Sequence, residues 1–196
     1  MGDIKSALEI AMEKVEKLGE VTEGERLKWE YFPDGEKLAA RYIKENCNLV
    51  VELSKYEEKA KKYIIAGATD ILIRNIDLPK NDLVKGNNKR AMDGLKTMKS
   101  DKVAVENVYS KIRRVFDHYV GQGEQQKRQA YESLKAEFEA RMQQAVQQQL
   151  GAFNAVKVDV EKQPQFQDEW QKLQSQLSLQ YIKLIDEYKQ ELLSIP

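Results

Sequence analysis

Residues 91–119 read AMDGLKTMKSDKVAVENVYSKIRRVFDHY. Within them Ala91, Leu95, Met98, Lys102, Val105, Tyr109, Ile112, Phe116 and Tyr119 recur at steps of four and three, with Lys102 as the one polar member. That spacing keeps one stripe on one face of an α-helix and carries the seven-residue period of a coiled-coil seam. Ser100-Asp101 could restart a helix here, but the phase runs through it, so the stretch predicts one helix.

The same reading extends upstream. Leu49, Leu53, Tyr56, Ala60, Tyr63 and Gly67 repeat the alternation inside a long helix expected from about Gly35 to about Ile76. Asp70-Ile71-Leu72-Ile73 has strand-forming residues, yet Ile64, Ala68, Ile71, Leu72 and Ile76 share one helical face, which favours helix. Asp77-Leu78-Pro79 through Asn87 reads as a connection, and Lys85-Gly86-Asn87-Asn88-Lys89 as a loop with too few glycines to cradle a phosphate. Nearer the start, Ile4, Leu8, Ala11, Val15 and Leu18 mark a first short helix ended by Gly19. Thr22 and Glu25 have the spacing of a capping box. They open a second short helix with Leu27 and Trp29, expected to stop at the turn Phe32-Pro33-Asp34-Gly35.

Downstream the surface changes. Residues 1–121 contain no Gln, whereas residues 122–196 contain 17. The switch falls at Gly121-Gln122-Gly123, where helix signals also break. Beyond it the apolar stripe lengthens its period. Tyr131, Leu134, Phe138, Met142, Ala145, Gln149 and Phe153 form one run; Phe166, Trp170, Leu173, Leu177, Tyr181, Leu184, Tyr188, Leu192 and Ile195 form another. Residues eleven apart match in kind, which gives about 3.67 residues per turn. The predicted fold is therefore all-α: an elongated antiparallel helical bundle of about four long helices plus one or two short N-terminal ones, with coiled-coil-like packing. Residues 1–121 form a part with heptad seams and 122–196 a Gln-rich helical hairpin.

Composition narrows the function classes. Thirty-two basic and 32 acidic residues give no general attraction to nucleic acid or anionic membrane. Cys47 is the single cysteine, which excludes an intrachain disulfide and suits a reducing compartment. Met1-Gly2-Asp3-Ile4-Lys5-Ser6 lacks a leader's apolar core, and no apolar run reaches the ~18 residues of a membrane span. The expectation is a cytoplasmic protein that does not enter a membrane.

Chemistry is sparse. A di-iron helical site needs histidines three residues after glutamates, but His118, the only histidine, follows Val115 at that spacing. His118 also falls off the Ile112–Phe116–Tyr119 stripe and reads as a surface or boundary residue. Cys47 lies mid-helix with no histidine nearby in sequence and reads as a small buried hydrophobe. Pairs such as Glu57-Glu58 and Glu137 with Glu139 are ordinary for solvated helices. No catalytic set, metal site or cofactor is expected.

Two interaction signals remain. Lys80 to Arg114 holds ten Lys or Arg against four Asp or Glu, and a continuous helical wheel puts Lys89, Lys96, Lys111 and Arg114 on one face opposite the seam. That face suits phosphates or, more simply, a neighbouring acidic helix. Trp29, Tyr31 and Phe32 are either a partner anchor or a plug for the end of a bundle. The reading these features favour is a non-enzymatic scaffold or adaptor acting through a protein partner or self-association. Nucleic-acid or phosphate binding through the basic face is the alternative, and an enzyme with an unlocated site the third.

Overall fold

The computed structural model describes residues 22–45, 47–150 and 159–196, with side chains of 148–150 left aside. Every regular element among them is helical. In chain order they are α1 (Glu23–Glu45), α2 (Leu49–Leu53), α3 (Glu58–Arg74), α4 (Asp82–Met98), α5 (Lys102–His118), a π turn (Tyr119–Gly123), α6 (Glu124–Leu150), a 3-10 turn (Val160–Lys162) and α7 (Pro164–Ser194). The fold is all-α, with helices packed on helices. The helix expected over Ile4–Leu18 lies outside the described residues, as do Phe153 and the link between α6 and the 3-10 turn.

Two compact units divide the chain. One holds the described residues up to Arg74 together with Asp93–Met98; the other holds Asn75–Met92 and the described residues from Lys99 onward.

In the first unit α1 packs along α3. Its start is capped as the sequence predicts: Thr22 Oγ1 accepts from the Glu25 amide at 3.3 Å, and Glu25 Oε2 accepts from the Thr22 amide at 3.0 Å. The Thr22 amide first, and then the Thr22 hydroxyl donating to the same Oε2 at 2.9 Å, hold the Glu25 carboxyl below its ordinary range. The expected turn at Phe32–Gly35 is not there. α1 runs straight through Pro33. Proline removes one backbone donor and frees the carbonyl of Trp29, four residues earlier. Both residues are exposed, so water can take that carbonyl. Gly35, two residues on, is buried against α3, with no room for a side chain. A close helix crossing, not a turn, uses this glycine.

The long helix expected over 35–76 is in fact three. α1 ends at Glu45, and Asn48 starts α2 by accepting from the amides of Val50 (3.0 Å) and Val51 (3.3 Å). A second break before Glu58 starts α3. Cys47 therefore lies in a break, not mid-helix. It packs against a core of Leu38, Leu49, Ala60 and Ile64, joined by Tyr31, Tyr42 and Tyr56. The Asp70–Ile73 segment is helical, as expected, and Ile64, Ala68, Leu72 and Ile76 are fully buried.

The second unit opens with a short connection. The sequence reading extended it to Asn87, but α4 begins at Asp82, where Asn81 Oδ1 accepts from the Val84 amide at 2.9 Å. The presumed loop Lys85–Lys89 is its first turns. Asn88, only 3% exposed, reaches back: its Oδ1 accepts from the Asp77 amide (2.9 Å) and its Nδ2 donates to the Asp77 carbonyl (2.6 Å). One side chain thus satisfies both backbone groups of Asp77. Asn88→Ala is expected to cost about 2 kcal/mol, because two polar groups lose their partners. Asn88→Asp, which loses the donor, should be no better. The urea midpoint measures both.

The seam over 91–119 also breaks. Asp101 caps α5, accepting from the amides of Val103 (3.1 Å) and Ala104 (2.9 Å), so α4 and α5 are separate helices. Ala91, Leu95, Val105, Tyr109, Ile112 and Tyr119 are buried; Lys102 is exposed. Tyr109 donates to the Met92 carbonyl at 2.6 Å. At Gly121–Gly123 the helix does not end. It widens into the π turn and continues as α6.

α6 and α7 meet through edge-on aromatic contacts. Tyr131 lies 5.6 Å from Phe166 and 5.1 Å from Trp170, and Phe138 lies 5.3 Å from Phe166. With Leu134 and Val160 they form one core. Near its end α7 is held by the α4–α5 link: Lys99 donates to the carbonyls of Leu193 and Ile195, and the Ser100 amide to Pro196 at 2.9 Å. A cation suits the carbonyl end of a helix, although burial pulls the Lys99 pKa below its usual value. Two stripe positions depart from the sequence reading. Ala145 is exposed, and it is Ile185, not Leu184, that turns into the core: Ile185 is 2% exposed and Leu184 40%.

Candidate functional site

α5 and α7 pack side by side in the second unit, and a groove of about 500 Å³ opens along them. α5 supplies Lys111, Arg114, Val115 and His118, spaced i, i+3, i+4, i+7 and so on one face. α7 supplies Gln176, Leu177, Gln180, Tyr181, Leu184 and Tyr188, and Gln126 of α6 joins them. Gln176 to Tyr188 is about 18 Å of helix at 1.5 Å per residue.

The groove has three kinds of surface. Val115, Leu177 and Leu184, with the rings of Tyr181 and Tyr188, are apolar. The α5 side is cationic, and the Gln residues are neutral amides. No carboxylate lines it. Lys111 is anchored at one end: its Nζ donates to Glu191 at 2.7 and 2.9 Å and sits 5.6 Å from the Tyr188 ring centre. His118 is anchored at the other, with Nδ1 2.9 Å from the Tyr181 hydroxyl. Tyr119 packs edge-on against Tyr181 at 5.3 Å, and Lys127 donates to the Tyr119 hydroxyl at 2.6 Å. Arg114, between the two anchors, has no ion-pair or hydrogen-bond partner among the described residues.

The basic face named from sequence is thus divided. The wheel assumed one continuous helix from Lys89 to Arg114. With the break before Asp101, Lys111 and Arg114 meet in the groove, while Lys89 and Lys96 stand on α4; Lys96 belongs to the first unit. Of the aromatic trio, Trp29 is 66% exposed, Tyr31 packs on the first unit's core, and Phe32 is half-buried with Lys28 Nζ 6.0 Å from its ring centre. Sequence reasoning placed Leu177, Tyr181, Leu184 and Tyr188 in a closed seam and missed that they border an opening. The signal was available: Leu184 and Ile185 point about 100° apart on the helix, so a narrow seam centres on only one of them.

Residues 50–194 match the model of a family of unknown function, DUF6657. The chain belongs to this family. The DUF6657 span covers nearly all of α2 and the whole of α3 to α7, so it contains every residue lining the groove; α1 lies outside it. No curated protein and no solved structure matches the chain. Among the described residues of this DUF6657 member, no three His, Cys, Asp or Glu side chains gather as metal ligands, and no helix is long and apolar enough to cross a membrane.

Proposed function

We propose that the protein is a non-enzymatic helical adaptor that works through protein contacts, with the groove between α5 and α7 as its contact surface. The observation that carries this reading is Leu184. It belongs to the apolar repeat of α7, yet the core uses Ile185. The helix therefore holds more apolar surface on this side than its own core buries. Leu177, Tyr181 and Tyr188 beside it are only half-buried. An apolar strip with a polar, charged rim is the composition of a binding surface.

Phosphate binding is the weaker reading. Polyanion affinity grows with the number of phosphates neutralised, and Lys111 is already neutralised by Glu191.

A photo-crosslinking residue at position 184 of the full chain, irradiated in the cells that make the protein, tests the adaptor reading. A discrete protein adduct is expected from position 184 and not from the exposed α6 position Glu132. No adduct at 184, or equal labelling at both sites, would overturn it.

A further inference from the structure

Resting on that reading, we infer that the groove's occupant is an acidic amphipathic helix of a partner protein, its apolar ridge on Leu177 and Leu184 and a carboxylate on Arg114. Three observations converge on it. The groove runs along two helices for about 18 Å, or about three turns, and a third helix fits such a channel by ridge-into-groove packing. No sheet edge is present among the described residues, so strand addition has nothing to join. The lining carries positive charge and no carboxylate.

Arg114 decides the sign. Lys111 and His118 already have partners, whereas the Arg114 guanidinium has none among the described residues. It presents a planar fork suited to a carboxylate. On the opposite side Gln180 offers an amide, which neither attracts nor repels that charge. An acidic helix placed here meets a cation on one side and hydrogen-bonding groups on the other; a basic helix meets Arg114 head-on.

The test is selection from a phage library of randomised, helix-framed peptides of about 16 residues (about 24 Å), panned on the full chain. Recovered peptides should carry apolar residues at i, i+3 or i+4, and i+7, with a net negative charge. Arg114→Glu should weaken them about tenfold and should favour their Glu-to-Lys counterparts. Gln180→Glu, which repels an acidic helix without touching the cation, should weaken them several-fold. Leu184→Arg should abolish binding. All three positions are exposed, and matching thermal melts confirm folding. Basic or unpatterned peptides, no recovered peptides, or peptides indifferent to Leu184→Arg would overturn the inference. So would a concentration-dependent dimer of the unmodified chain, lost in Leu184→Arg, which would make a second copy the occupant. An adduct at position 184 alongside any of these leaves the adaptor reading standing; its absence removes that reading itself.

Discussion

Gly35→Ala and Gly67→Ala are each expected to destabilise the first unit by about 3 kcal/mol, the upper range for forcing a methyl group into a packed interior. A Cβ on residue 35 would lie 2.1 Å from the Ile64 carbonyl oxygen, and one on residue 67 would lie 2.1 Å from the Phe32 carbonyl oxygen. Both obstacles are backbone, so no rotamer change relieves them; α1 and α3 must separate. Separation lifts Ala39, Ile64 and Ala68, all fully buried, out of close contact. Alanine's better helix propensity returns only about 1 kcal/mol. Gly86→Ala isolates that smaller term. A Cβ there meets nothing within 4 Å, so this variant should be more stable by about 1 kcal/mol. Because Gly35 and Gly67 guard one crossing, the double variant should cost less than the sum of the two. Urea unfolding of all four proteins decides it. A neutral Gly35→Ala would mean that α1 and α3 do not cross where described.

Tyr119→Ala should remove about 4 kcal/mol from the second unit, the usual scale for deleting a buried aromatic ring. Tyr119 is 2% exposed within the π turn. Its ring supports Tyr181 edge-on at 5.3 Å and sits 4.3 Å from Lys127 Nζ, and its hydroxyl accepts from the same ammonium. The hydrogen bonds of Lys127 to Glu124 and Tyr119 raise its pKa against the opposing and larger single effect of burial. Tyr119→Phe keeps the ring and loses the hydroxyl, so about 1 kcal/mol is expected. The pair of variants separates packing from hydrogen bonding in thermal melts. Tyr119→Ala should also reduce crosslinking from position 184, because Tyr181 loses its support.

Helix type was readable almost everywhere, because apolar steps of three and four are unambiguous. The Thr22–Glu25 cap was readable too, since both partners lie within one turn. Boundaries were not. The stripe over 91–119 keeps its phase across Asp101, so periodicity alone cannot reveal a break that a cap creates. Asn48, Asn81 and Asp101 each carried that information as residues that cap in preference to continuing. Phe32-Pro33-Asp34-Gly35 misled for a different reason. Its local turn preference is outweighed by a crossing with residues thirty positions away, which no short-range rule contains. Half of the groove was legible: Lys111 and Arg114 stood out by charge. Its other half was hidden because Leu177, Tyr181, Leu184 and Tyr188 fit a buried period perfectly well until neighbouring Ile185 is seen to take the core place.

The π turn at Tyr119–Gly123 has a consequence for length. Its hydrogen bonds span five residues instead of four, so it stores one surplus residue in an otherwise α-helical run. Gly121 and Gln122 are exposed, and space around Gly121 is empty. Removing one of them lets the coil tighten to ordinary pitch while everything beyond keeps its azimuth toward α7. The same deletion made mid-way along α6 would spin the distal half by about 100° and turn Phe138 away from the core. This site is therefore where the polypeptide tolerates a change in residue number, like the slack in a belt.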